Sequence, residues 1–197
     1  MKLNKSKTRK ICVTAIMAAF ATALMYLEIS VPIIPSFIKL DFSELPALIT
    51  SFAFGPLWGV AVCLVKNLVK LLNTQTAGIG ELANFFLGAV FVSISGIVYK
   101  KNKSKKSALI GAVIGALAMA AVSFPVNYFV VYPIYENFMP LEAILGMYRA
   151  IYPATKNLAH ALVIFNIPFT FVKGLVDAAV TFVIYKKISP ILKGKSI

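Results

Sequence analysis

Four long stretches of this chain carry no Asp, Glu, Lys or Arg: Ile11–Leu27, Leu45–Val65, Leu82–Tyr99 and Ser107–Tyr132. A fifth, Asn157–Tyr185, holds only His160, Lys173 and Asp177 among acidic and basic side chains. Each is as long as, or close to, the roughly 20 residues a helix needs to cross a bilayer. Hydrophobic residues make up 59% of the chain, against about 45–50% in a soluble domain. The sequence therefore reads as one all-α membrane domain over 1–197, embedded in the lipid bilayer, with no room for a separate soluble domain.

The net charge of +13 is gathered in three clusters, Lys2–Lys10, Lys100–Lys106 and Lys186–Lys195. No aromatic-rich polar domain accompanies them, so nucleic-acid binding is not expected. The positive-inside rule, which collects Lys and Arg on cytoplasmic loops, accounts for them. Five crossings would leave the middle cluster outside. Reading 45–72 as two helices broken at Gly55-Pro56 gives six crossings and puts all three clusters, with both termini, on the cytoplasmic side. The break is expected because proline cannot continue an inner helical ladder and a preceding glycine favours a turn. Spans are then expected near 9–29, 44–54, 57–72, 80–99, 107–132 and 158–187, a six-helix bundle with Lys66 and Lys70 toward the outer end of the third. The basic start and Ala19-Phe20-Ala21 resemble a signal peptide and its cleavage site, but the apolar run continues to Ile38, so an uncleaved first span is expected.

The second helix is too short to cross alone: about 11 residues at 1.5 Å rise give roughly 16 Å, against a hydrocarbon core near 30 Å. It must start within the membrane depth. The preceding segment, 29–43, is apolar but holds Pro32 and Pro35, and it ends in the charged run Lys39-Leu40-Asp41-Phe42-Ser43-Glu44. Irregular backbone at that depth survives only when it is buried in protein or faces a cavity. A structured first extracellular loop roofing an outward-facing pocket is the expectation.

Catalytic motifs are absent: there is one histidine, His160, in a position suited to packing or capping, and no metal-ligand, nucleophile-elbow or phosphate-loop spacing. Cys12 and Cys63 lie in apolar helices and read as small hydrophobes. What remains is a set of polar residues in or beside spans: Asn67, Glu81, Asn84, Asn127, Thr170, Lys173 and Asp177. A charge at mid-span costs about 2.5–3.5 kcal/mol on insertion scales and marks a functional position by default. Lys173 and Asp177 are one turn apart. They form either an intrahelical ion pair or a ligand-reaching ammonium balanced by a carboxylate. Each Asn offers a donor and an acceptor, which suits either helix-to-helix bonding or a heterocycle edge. Phe37, Phe42, Phe85 and Phe124 are candidate wall residues. On the first span Ala15, Ala19 and Ala23 recur every fourth residue, a stripe that permits close helix approach either within this chain or to another membrane protein.

The run Lys39-Leu40-Asp41-Phe42-Ser43-Glu44-Leu45-Pro46-Ala47-Leu48 resembles the signature of riboflavin-specific substrate-binding (S) components of energy-coupling factor (ECF) transporters. Phe54-Gly55-Pro56 with Gly59, Lys66-Asn67, Gly80-Glu81-Leu82-Ala83-Asn84-Phe85, Asn127-Tyr128-Phe129 with Tyr132-Pro133 and Tyr135, and Pro168-Phe169-Thr170-Phe171-Val172-Lys173-Gly174 extend the likeness in order over about 11–187. The resemblance implies a non-enzymatic vitamin-capture subunit of the bacterial cell membrane. Its ligand would be riboflavin, transported rather than held as a cofactor, with FMN a further candidate. It also implies docking through Ala15 and Ala19 onto a transmembrane T component that carries two ABC ATPase subunits. By position, Ala47, Asn127 and Lys173 would contact the flavin, and Lys39, Asp41, Leu48, Asn67, Glu81, Asn84 and Thr170 complete the candidate binding set. Members often have Asn where this chain has Thr170, whose hydroxyl has a single donor and a shorter reach. An S component for another vitamin, and, from a different class, an intramembrane enzyme or an assembly protein, are the alternatives.

Overall fold

The computed structural model describes residues 5–74 and 76–193, with side chains described for 6–74 and 76–185. The basic side chains at 2–5 and 186–195 lie outside that set. The chain forms α1 (Lys5–Tyr26), α2 (Glu44–Phe54), α3 (Pro56–Lys70, ending in the 3-10 turn Leu71–Asn73), α4 (Ile79–Lys101), α5 (Lys105–Tyr135), α6 (Leu141–Ile151) and α7 (158–193). Helices α1, α3, α4, α5 and α7 are long and apolar enough to cross a membrane, whereas α2 has 11 residues.

The α2–α3 corner follows from two adjacent residues. Gly55 sits at φ +109, where an L side chain is strained, and Pro56 opens α3 at a position whose N–H has no helical partner. The chain doubles back here, so α3 returns antiparallel to α2 and brings Lys66 alongside Glu44.

Lipid tails are as apolar as leucine, so helices in a membrane pack by close contact rather than by hydrophobic drive. Helix α5 supplies that contact with a buried row of Ala108, Gly111, Ala112, Gly115 and Ala116. A Cβ on Gly115 would stand 2.8 Å from the Phe91 carbonyl oxygen of α4, and one on Gly174 of α7 would stand 2.8 Å from the Ala116 Cβ. On α1 the inward face is Met17, Ala18, Ala21 and Met25, while Ala15, Ala19 and Ala23 are exposed. The stripe noted in the sequence is therefore not used for packing inside this chain.

Two segments differ from expectation. The strap between α1 and α2 is a small antiparallel ladder, β1 (Ile29–Ser30) on β2 (Lys39–Leu40), with Ile29 opposite Leu40. The 133–157 connection, left between the fifth and sixth expected spans, carries α6, whose Ile144, Leu145 and Tyr148 bury against Ile34 of the strap and Tyr132 of α5. Phe37 meets the Tyr148 ring edge-on at 6.0 Å.

Both α5 and α7 widen into a π turn near the strap end, at Asn127–Val131 and Leu162–Asn166. The cause is the same in each. Pro133 and Pro168 have no N–H for the carbonyl four residues back, and their rings would clash with it. The residue before each proline bonds five residues back instead, Tyr132 to Asn127 and Ile167 to Leu162. Such turns displace one helical face and frequently occur at functional sites. Here they carry Asn127 and Asn166.

Candidate ligand-binding site

A cavity with about 160 Å³ of space for the centres of water-sized molecules lies beneath the strap, between α4, α5 and α7. Phe37 and Ile38 of the strap roof it, and Phe169 and Met119 add apolar wall. Lys39, Asn84, Asn127, Thr170 and Lys173 all line it, so five of the residues singled out in the sequence converge although up to 134 positions separate them.

At one edge of the cavity the strap is tied to the bundle by a closed ring of buried polar groups. Lys173 Nζ donates to Asp41 Oδ2 at 2.9 Å and lies 3.0 Å from Glu44 Oε2. Lys66 Nζ donates to Glu44 Oε1 at 2.6 Å and also to the Ser43 hydroxyl, which in turn donates to Asp41 Oδ1. The Ser43 amide donates to the same Asp41 oxygen at 2.9 Å. Two ammonium groups face two carboxylates, so the ring is neutral. Glu44 also sits in the first turn of α2, where the helix dipole favours a negative charge. Gly88 of α4 makes room for it, since a Cβ there would come within 3.2 Å of Glu44 Oε1. Burial works against ionisation of Asp41, but Lys173, Lys66 and the Ser43 bond outweigh it and hold this carboxyl well below the usual carboxylate range. An ammonium has three N–H donors, and Lys173 donates one to Asp41 and pairs electrostatically with Glu44 while lining the cavity.

No salt bridge joins Lys173 to Asp177, so the intrahelical ion pair does not form; the strap carboxylates take the ammonium. The other expected residues lie away from the cavity lining. Ala47 and Leu48 are wholly buried in the core of the bundle and do not line the cavity. Asn67 donates to the Cys63 carbonyl at 2.8 Å and to Asn84 Oδ1 at 3.3 Å. Glu81 holds the α3–α4 loop, accepting from the hydroxyls of Thr74 at 3.0 Å and Thr76 at 2.9 Å. Among the candidate walls Phe37 lines the cavity, whereas Phe85 borders a separate groove on α3 and α4, and Phe124 stacks on Tyr128. His160 caps its own helix start: its amide donates to Asn157 Oδ1 at 2.9 Å and its Nδ1 accepts from the Lys156 amide at 3.2 Å.

The strap has a second clamp. Glu28 lies 3.0 Å from Lys70 Nζ and 3.6 Å from Lys39 Nζ, and Lys70 stands over the Tyr26 ring at 4.2 Å. Sequence reasoning passed over Ser43, Glu44 and Lys66 as site residues, although all three stand in the quoted motifs, because nothing in spacing shows that a lysine on α3 reaches the start of α2. It also passed over Asn166, a polar residue two positions before a helix-interior proline, which was the available signal. Tyr148 Oη donates to Asn166 Oδ1 at 2.7 Å and lies 2.5 Å from Tyr132 Oη. Burial pushes the Tyr148 phenol well above its ordinary pKa, which keeps it a donor.

Comparison with known proteins gives a consistent picture. Residues 9–185 match the family model described as ECF transporter, substrate-specific component. Riboflavin transporter RibU of Staphylococcus aureus (strain TCH60) is 33% identical over 192 residues, covering 98% of this chain and 96% of its own. Riboflavin transporter FmnP of Bacillus subtilis (strain 168) is 30% identical over 187 residues, covering 93% and 94%. A solved chain reported under "Structure and mechanism of the S component of a bacterial ECF transporter" superposes with a TM-score of 0.75 at 31% identity, covering 95% of this chain and 99% of that one.

Proposed function

The chain belongs to the ECF transporter substrate-specific component family, and from that premise we propose that it captures riboflavin from outside the cell in the cavity beneath the strap. It is a multi-pass protein of the bacterial cell membrane and a transporter component rather than an enzyme. Membership of the family implies association with T and ATPase components. The observation that carries the site assignment is the convergence of Asn84, Asn127, Thr170 and Lys173 on one apolar-walled cavity. Small-molecule sites have this make-up, apolar surface with a few placed polar groups. An isoalloxazine ring is flat and largely apolar, with hydrogen-bonding groups along one edge. Nanomolar capture needs about −12 kcal/mol, which ring burial and several bonds in a dry, preformed site can approach.

In this reading the strap faces outward and the α4–α5 turn, with Lys100 to Lys106, faces the cytoplasm. The exposed Ala15, Ala19 and Ala23 offer α1 to the T component, which carries two ABC ATPase subunits. The decisive measurement is a riboflavin titration of the purified protein in detergent, followed by quenching of flavin fluorescence, with FMN and a panel of other vitamins alongside. Saturable, stoichiometric quenching by riboflavin is expected; stabilisation by a different vitamin alone would overturn the ligand assignment. Ala19→Trp should abolish riboflavin uptake by cells while sparing binding, and uptake that persists would place the docking face elsewhere.

A further inference from the structure

Three asparagines line the cavity, and each has one end of its amide already engaged within the protein. Asn127 Nδ2 donates to the Ser123 carbonyl at 2.7 Å, which leaves Oδ1 as the free acceptor. Asn84 Oδ1 accepts from Asn67, which leaves Nδ2 as a donor. Asn166 Oδ1 accepts from Tyr148, which makes Nδ2 the donor end of this amide. The direction of the Asn166 bond is forced. A carbonyl oxygen accepts only, so the single phenolic proton of Tyr148 goes to Asn166, and the close contact between the phenols is then a donation from Tyr132 to Tyr148. The relay Tyr132 to Tyr148 to Asn166 is buried throughout, with Tyr148 wholly so and Asn166 6% exposed. Three elements meet in it: α5, α6 and α7. It therefore fixes the rotation of the Asn166 amide.

Resting on the riboflavin reading above, we propose that Asn166 is a specificity-determining residue, held by the Tyr132–Tyr148 relay so that its Nδ2 donates to a ring carbonyl of the flavin while Asn127 Oδ1, lining the same cavity, accepts the ring imide N–H. The pyrimidine edge of isoalloxazine reads carbonyl, N–H, carbonyl. A donor beside an acceptor is the complement of that edge, and the two π turns supply one of each. A ligand carbonyl would give a partner to an N–H of a residue only 6% exposed, where water is poorly placed to supply one. Tyr132 and Tyr148 are positioning residues in this scheme, because they act through Asn166.

The test is a set of riboflavin, 2-thioriboflavin and 4-thioriboflavin titrations on wild type, Asn166→Asp, Tyr148→Phe and the double variant. A thiocarbonyl is the weaker acceptor. Wild type should discriminate against one of the two thio analogues. Asn166→Asp, which keeps the shape and removes the donor, should lose about 10- to 100-fold in riboflavin affinity and erase that discrimination. Tyr148→Phe, which keeps the ring packing and the amide, should lose less, reduce the discrimination, and add nothing once Asn166 is changed, since members of one network are non-additive. If Asn166→Asp fails to fold, Tyr148→Phe carries the test alone through its effect on discrimination. Undiminished affinity in Asn166→Asp, or discrimination unchanged in Tyr148→Phe, overturns the assignment and leaves the relay as an α6–α7 tether. Wild type that does not bind riboflavin overturns the parent reading, and this one with it.

Discussion

Lys173 and Asp177 stand one turn apart on α7, yet they belong to two different kinds of interior. Lys173 has two carboxylate oxygens within 3.0 Å. Asp177 has no hydrogen-bond partner on either oxygen among the described residues, and the same holds for Thr181 Oγ1 and Tyr185 Oη further along the same face. Thr14 Oγ1 of α1 and Ser95 Oγ of α4 are likewise buried and unpartnered. The charged groups under the strap are matched, although the amide oxygen of Asn67 there has no partner, whereas the buried polar groups of the other half stand isolated. The difference follows from charge balance and reach. Asp41 and Glu44 arrive on the strap and on the start of α2, beside Lys66 and Lys173, and the four neutralise one another. Asp177 is a third carboxyl group beside them, with no cation left over to bond it. A buried polar ring is worth having only when every member is satisfied, and a preformed ring is what a hydrogen-bonding ligand can dock beside without reorganisation.

The strongest way to break this contrast is to open the ring. Lys66→Met leaves Glu44 facing apolar surroundings with half its counter-charge gone. Removing one partner of a buried pair costs about 3–5 kcal/mol, to be read as a fall in unfolding free energy in detergent. A loss below about 1 kcal/mol would show that the ring does not hold the strap. Lys173→Ala comes next. Asp41 keeps Ser43 and Glu44 keeps Lys66, so the protein should remain folded, while the lost charged donor weakens riboflavin binding by about 1.5–3 kcal/mol, roughly 10- to 150-fold. Unchanged affinity would remove Lys173 from the site.

Acid sharpens the comparison. The folded-state pKa of Asp41 lies below its ordinary 3.8, so its contribution to stability is fully present above that value and is lost as pH falls through the depressed one. Wild type and Asp41→Asn should therefore differ by a constant amount from pH 8 down to about 5 and converge only in strong acid, a pattern that thermal unfolding at fixed salt reads out. A difference that vanished near pH 6 would mean Asp41 lacks its cations. Least affected should be Asp177→Asn. It removes no bond, so stability should move by less than about 1 kcal/mol, toward neutral or stabilising. A loss comparable to that of Lys66→Met would reveal a partner for Asp177 and erase the distinction between the two halves.

Much of the site was readable before any coordinates. Polar side chains inside apolar spans are costly enough to be noticed, and Asn127, Thr170 and Lys173 do line one cavity. Gly55-Pro56 announced the corner, because glycine tolerates the positive φ and proline opens the next helix without losing a bond. Ala47 and Leu48 were placed with the ligand by likeness alone, and the structure sets them in the core, since an 11-residue helix buries most of its surface against its neighbours. Helix α6 was missed because part of what its apolar face packs against, Ile34 of the strap, lies more than 100 positions earlier in the sequence.

Runs of uncharged residues, together with the demand that backbone polar groups be satisfied inside lipid, determine from the sequence alone that this chain is a helical membrane protein with one helix too short to span and a bent strap before it. Tertiary structure decides which charges are neutralised, which end of each amide is left free, and that Asn166 joins the site. Those outcomes depend on distances between residues 22 to 132 positions apart. Such distances are set by the meeting of helices at glycine and alanine contacts and by the proline-widened turns, which no local pattern encodes.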